Sequence, residues 1–187
     1  MFNSDMIFKD LIEKYSLKSQ THKRKTALAI ADTITTKSYY IKSGVLKCCY
    51  YNKEVKKEVI FCLLSAGDAI LPCDTTPYDV PAPFDIYVIA DAVIYTISED
   101  EVKILQEKEP KFEELRRLNL RQLFDRIVKT IKLNVYTDML TRYEKLLEIY
   151  PFLHQVSNQE LAAILGVHRT TATSVKTAAN KKPKNKK

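Results

Sequence analysis

The sequence predicts an α+β chain: an N-terminal antiparallel β jelly-roll barrel with flanking helices, a long dimerisation helix, and a C-terminal all-α helix-turn-helix. Three observations carry this prediction. Short β-branched and aromatic runs alternate with turn signals from Tyr39 to Ile97, the pattern of a sandwich or barrel. Helical periodicity replaces them after Ser98. The formal net charge of +7 belongs entirely to the last 27 residues: residues 1–160 balance 23 bases against 23 acids, and residues 161–187 hold seven bases and no acid.

The elements follow in order. Met6, Ile7, Leu11, Ile12 and Tyr15 recur at helical spacing and predict a short N-terminal helix. A polar stretch over residues 22–38 leads into the strands. YYIKSG and VLKCCYY read as two strands split by a turn at Ser43-Gly44, and YNKE reads as a second turn. KKEVIFCLL is a strand ended by Ser65-Ala66-Gly67-Asp68. The proline-rich PCDTTPYDVPAP is a loop. FDIYVIADAVIYTIS returns to strand, with a turn at Ala90-Asp91. Ser98 with Glu101 three residues later opens a helix as a capping box. Pro110 opens another, with a stripe of Leu120, Leu123, Phe124, Ile127 and Ile131. A helix of roughly 25 residues is about 37 Å long, more than a small barrel needs, so part of its apolar surface is expected to face a second copy. VYTDMLTRYEKLLEIY is a further helix, stopped before Pro151. The expected domains are a barrel over 1–109, a dimerisation helix over 110–136 and a helix-turn-helix with a basic tail over 137–187.

The segment VSNQELAAILGVHRTTATSVKTAAN defines the candidate site. Ser157 and Glu160 form a capping box, and Leu161, Ile164 and Leu165 point inward. Ala162 is small where two helices cross. Gly166 ends the first helix at a position that wants positive φ. The second helix turns Ala172 and Val175 inward and His168, Arg169, Thr170, Thr171, Thr173, Ser174 and Lys176 are its candidate nucleic-acid contacts. Hydroxyls and bases without any acid suit phosphate oxygens and base edges, and the helix N-terminus adds partial positive charge. The plainer alternative is a packed helical hairpin with a basic tail that keeps the chain in solution.

Other classes are disfavoured. Residues 26–100 contain no histidine, which argues against a cupin-type metal enzyme. Serine-hydrolase and phosphate-loop motifs are missing. Cys48, Cys49, Cys62 and Cys73 form no CxxC pair and read as buried, reduced thiols. No metal and no cofactor is expected. The N-terminus lacks a secretory pattern and no long apolar run occurs, so a cytoplasmic protein without a membrane partner is expected.

With these residues in view, the chain resembles the Crp–Fnr family of bacterial transcription regulators from about Tyr39 to Lys176. YYIKSGVLKCCY and EVIFCLLSAGDAI look like strands of its cyclic-nucleotide-type barrel. FDIYVIADAVIYTISEDEVKIL looks like its closing strands, and the helix from Pro110 looks like its dimerisation helix. The resemblance implies a homodimer on double-stranded DNA, with RNA polymerase as a candidate further partner and a small-molecule effector or none. Near Cys73, Asp74 and Thr75 lies the candidate effector pocket. An interaction or sensing module with weak DNA binding is the alternative.

The chain departs from the family's phosphate cassette. Gly67-Asp68 match its glycine-acid turn, but Leu71 and Pro72 stand where Gly-Glu is expected. Ala82 and Pro83 stand where Arg-Ser is expected. The N-terminus also lacks the clustered cysteines of an iron–sulfur regulator, and TAANKKPKNKK shows no strand pattern for the wing that often follows the recognition helix. A cyclic phosphate buried without a cation is strongly disfavoured. Calorimetry is therefore expected to show no binding of cyclic AMP at micromolar concentration; micromolar affinity would contradict this reading of the cassette.

Overall fold

The computed structural model describes residues 4–70 and 81–181. Among these, six α-helices and one antiparallel sheet make the chain α+β. The strands are β1 (Ser19–His22), β2 (Ala27–Ala29), β3 (Lys37–Asn52), β4 (Lys57–Ser65), β5 (Ala69–Ile70) and β6 (Asp85–Ser98). They run in the order β1-β6-β3-β4, with β2 also on β6 and β5 also on β3. The helices are α1 (Ser4–Lys14), α2 (Glu99–Lys108), α3 (Pro110–Lys132), α4 (Met139–Ile149), α5 (Asn158–Leu165) and α6 (Arg169–Lys181). Both expected capping boxes form, at Ser98 with Glu101 and at Ser157 with Glu160.

Two expected turns are absent. Ser43-Gly44 and Ala90-Asp91 both lie inside continuous strands, β3 and β6, which pair along most of their length. The register shifts between Ile41 and Ser43 and again between Ser43 and Val45. Gly44 takes φ +97° at that irregularity, so the glycine serves a bulge rather than a hairpin. A Cβ there would lie 2.5 Å from Ala92 Cα and 2.6 Å from the Asp91 carbonyl oxygen. Asp91 instead anchors the β1–β2 connection: its carboxylate accepts from Lys23 Nζ and from the Arg24 backbone N–H, each at 2.8 Å. The turn after β3 does form. Asn52 Oδ1 accepts from the N–H groups of Glu54 and Val55 at 3.0 and 3.2 Å, the local side-chain bond that favours Asn in turns.

The run VIFCLL is nearly unbroken because β4 is buried on both faces. Successive side chains on a strand point to opposite sides. Cys62 and Leu64 join Leu46, Cys48, Ile86, Val88 and Ile94 in one core, against which Leu123 and Ile127 of α3 pack. Leu63 joins Val45, Cys49, Ile60 and Ile89 in a second core shared with α4, α5 and α6. Phe8, Tyr40, Ile97, Leu105, Phe112 and Leu115 form a third beneath α1 and α2. Cys48, Cys49 and Cys62 are free and buried. Burial pushes the Cys49 and Cys62 thiols up to about 12, which keeps them protonated near neutral pH. Cys73 lies outside the described residues.

Polar contacts fix α3 to the sheet. Arg126 Nη1 and Nη2 each donate to one oxygen of Asp68 at 2.6 Å, a bidentate pair. Asp68 is only 6 % exposed and also accepts from the Ser65 N–H at 2.8 Å. Asn119 both accepts from the Ala69 N–H at 3.2 Å and donates to the Ala69 carbonyl at 2.7 Å. One turn beyond Arg126, Thr130 donates to the Arg126 carbonyl at 2.9 Å. The Tyr150 hydroxyl shares a hydrogen bond of 3.0 Å with Thr130 Oγ1 and also faces Cys62 Sγ at 3.8 Å. Burial raises the Tyr150 phenol far above its ordinary value and holds that proton in place. Tyr150 closes α4, so one buried chain of bonds joins the Gly67–Asp68 turn, α3 and the helices that follow.

Gly44→Ala combines a disfavoured positive φ with a clash against β6, each worth on the order of 1–3 kcal/mol. Urea denaturation is expected to show a loss of about 2–4 kcal/mol; a loss under about 0.5 kcal/mol would contradict the bulge.

Candidate nucleic-acid interface

The last three helices assemble around small and branched apolar residues. Tyr143 and Leu146 of α4 pack with Leu161, Ala162 and Leu165 of α5 and with Ala172 and Val175 of α6. Asp138 caps α4 by accepting from the Thr141 N–H at 2.8 Å. Ser157 Oγ accepts from the Glu160 N–H at 3.3 Å, and Glu160 Oε2 accepts from the Ser157 N–H at 2.9 Å. Gly166 ends α5 in the left-handed region at φ +67°, and the Val167 N–H returns to the Ala162 carbonyl at 3.0 Å. That bond reverses the chain into α6. Ile164, expected inward, is half-buried beside the fully buried Leu161 and Leu165.

On α6 the residues read from the sequence fall into two groups. His168, Arg169, Thr170, Thr173 and Ser174 are exposed. The His168 ring sits at the helix start, with Nδ1 3.0 Å from Thr170 Oγ1. Thr173 donates to the Arg169 carbonyl at 2.9 Å and Ser174 to the Thr170 carbonyl at 3.0 Å, so each hydroxyl oxygen keeps acceptor capacity towards solvent. Thr171 and Lys176 are half-buried. Lys176 Nζ donates to the Val156 carbonyl at 3.1 Å, which ties α6 to the segment entering α5. Its free energy therefore goes into holding the two helices together as well as into charge. The tail beyond Lys181 lies outside the described residues.

Two groups escaped the sequence reading. Asn158, the first residue of α5, donates to Thr173 Oγ1 at 3.0 Å and so stands beside the outward face of α6. Its signal was its place next to the N-cap, where an amide can reach the neighbouring helix. Arg24, between β1 and β2, reaches Glu160 at 3.3 Å. Glu160 is the only acid from residue 158 onward, it is 8 % exposed, and Arg24 and the capping box engage it. Helices α5 and α6 thus bring no other carboxylate of their own to the outward face of α6.

The candidate effector residues Cys73, Asp74 and Thr75 lie outside the described residues, as do Leu71 and Pro72. Ala82, at a position where the cassette carries Arg, is buried; its N–H donates to the Thr33 carbonyl at 2.8 Å and its carbonyl accepts from Asp32 at 2.9 Å. Among the described residues no three His, Cys, Asp or Glu side chains group to hold a metal, and no helix is long and apolar enough to cross a membrane.

No protein-family model and no curated protein matches the chain. Solved structures do. The c-di-GMP-responsive global regulator CLP of Xanthomonas campestris superposes with a TM-score of 0.72 at 14% identity, covering 92% of this chain and 91% of that one. A CRP-family transcriptional regulator of Thermus thermophilus gives 0.69 at 11%, covering 86% and 84%. A CooA variant of Carboxydothermus hydrogenoformans gives 0.66 at 18%, covering 89% and 78%. The likeness covers 86–92% of this chain: it has the fold of the Crp/Fnr transcription regulators.

Proposed function

We propose that this chain is a dimeric, sequence-specific DNA-binding transcription regulator that does not answer to cyclic AMP. The observation that carries the reading is the outward face of α6, where exposed Arg169, Thr170, Thr173 and Ser174 stand beside Asn158, on two helices whose single acid, Glu160, is engaged by Arg24 and the capping box. In a helix-turn-helix the second helix enters the major groove with its N-terminal residues on base edges. Arg169, the first residue of α6, is the candidate for bidentate contact to guanine. Thr170 serves bases or phosphates, Thr173 and Ser174 accept from base amino groups unless their hydroxyls turn away from the α6 carbonyls, and Lys181 with the tail lysines serves phosphates. Lys176 is held partly inside and contributes mainly by positioning α6.

The dimer reading rests on α3. Phe124 is 65 % exposed and Ile131 58 % exposed, while Leu120 and Ile127 complete a stripe at spacings of four, three and four residues. That is the a/d spacing of a two-helix seam. In this reading residues 1–109 form the sensing or scaffolding part, 110–136 the dimer helix, and 137–187 the DNA-binding part. A second reading, a dimeric interaction module with only weak DNA contact, draws on the internal bonding of Thr173, Ser174 and Lys176.

Fluorescence anisotropy on selected DNA across a salt series separates the two. Arg169→Ala is expected to cost about 1–3 kcal/mol on the specific sequence only. Binding that ignores Arg169 and vanishes with salt would leave the interaction module. Sedimentation tests the seam: Phe124→Glu is expected to shift the chain from dimer to monomer, and an unchanged dimer would place the interface elsewhere.

A further inference from the structure

The seam stripe of α3 continues beyond its apolar residues. Leu120, Phe124, Ile127 and Ile131 are spaced four, three and four residues apart, so the next position towards the start of the helix is three residues earlier, at Arg117. Arg121 lies one turn after Arg117 on the same side of the helix. Both arginines are exposed, and among the described residues neither has a hydrogen-bond or ion-pair partner. The acids of α3 do not balance them. Glu113 accepts from Arg116 Nη1 and from Gln106 Nε2, and Asp125 is paired with Lys129 at 2.7 Å. Exposed Glu114 is the one acid of α3 left to set against the two arginines.

A two-fold seam sets each of its positions opposite the same position of the second copy. Arg117 then faces Arg117, with Arg121 of both copies beside them. One end of an otherwise apolar seam thus gathers four guanidinium groups and the two Glu114 carboxylates. Arginine cannot shed its charge by losing a proton, and like charges held close together oppose association. We propose that this end of the seam binds a small polyanion, a diphosphate or a compound with two phosphate groups, which bridges the arginines of the two copies and strengthens the dimer. The planar guanidinium fork matches phosphate oxygens in pairs. An anion that binds the assembled pair and not the single chain shifts the balance towards the dimer. The inference rests on the seam reading of α3, because one copy supplies only half of the site, and it is independent of what α6 reads.

Sedimentation of the full chain over a dilution series, without DNA and at fixed ionic strength, tests this with sodium pyrophosphate beside orthophosphate. Pyrophosphate is expected to lower the dimer dissociation constant about tenfold or more, and orthophosphate less. Titration calorimetry should count one pyrophosphate per two chains. Arg117→Ala should form the tighter dimer without anion, because the facing charges are gone, and should lose the pyrophosphate response. Arg121→Ala should weaken that response, and Lys111→Ala, an exposed control elsewhere on α3, should leave it unchanged. A dimer that Phe124→Glu dissociates but pyrophosphate leaves unchanged would overturn the anion site alone. So would one anion per chain, or a full response in Arg117→Ala. A chain that stays monomeric with and without pyrophosphate would overturn the seam and the site with it.

Discussion

The bidentate pair between Asp68 and Arg126 is the contact on which the placement of the C-terminal half depends. A long helix lying on a sheet through apolar contacts alone can slide or roll, because those contacts are non-directional. A carboxylate and a guanidinium joined by two parallel bonds fix both position and rotation. The reciprocal Asn119–Ala69 bonds add a second point two turns earlier on α3, and the Thr130–Tyr150 bond adds a third one turn later. Leaving one member of a buried ion pair alone costs roughly 3–5 kcal/mol, so the pair resists loss of either partner.

From that fixed helix the terminal helices inherit their position. Tyr150 leads the chain from α4 towards α5, and Leu63, Ile60 and Cys49 of the sheet pack into the same core as Leu161, Leu165 and Ala172. The outward face of α6 is therefore held on a continuous packed body rather than at the end of a free linker. Arg24 reinforces this at the N-terminus of α5, where it meets Glu160. A reading helix gains from such rigidity, because base contacts need fixed geometry while phosphate contacts with lysine tolerate slack. A shift at α3 reaches α6 through these packed residues, through the Thr130–Tyr150 bond and through the chain that runs from α3 into α4.

Local features were legible and non-local ones were not. Both capping boxes, Pro110 at the start of α3 and Gly166 at the end of α5 follow from bonds within a few residues, and the sequence states them directly. Gly44 was misread because a positive φ serves a hairpin turn and a bulge equally; the choice depends on Ala92, which only the register brings opposite. β1 is short and largely exposed and β2 spans only three residues, so neither carries a strong alternation to find. The Asp68–Arg126 pair joins residues 58 apart and leaves no local trace. On the candidate interface, the exposure of Arg169, Thr170, Thr173 and Ser174 follows from helical spacing. The inward tie of Lys176 does not, since it depends on where the Val156 carbonyl lands.

The central claim is that two copies of α6 read successive turns of one DNA face. Hydroxyl-radical footprinting on a site selected from random sequence tests it most directly. The account predicts two protected patches on the same face, centred about one helical turn apart, roughly 34 Å. Uniform protection without that period, or a single patch, would contradict it.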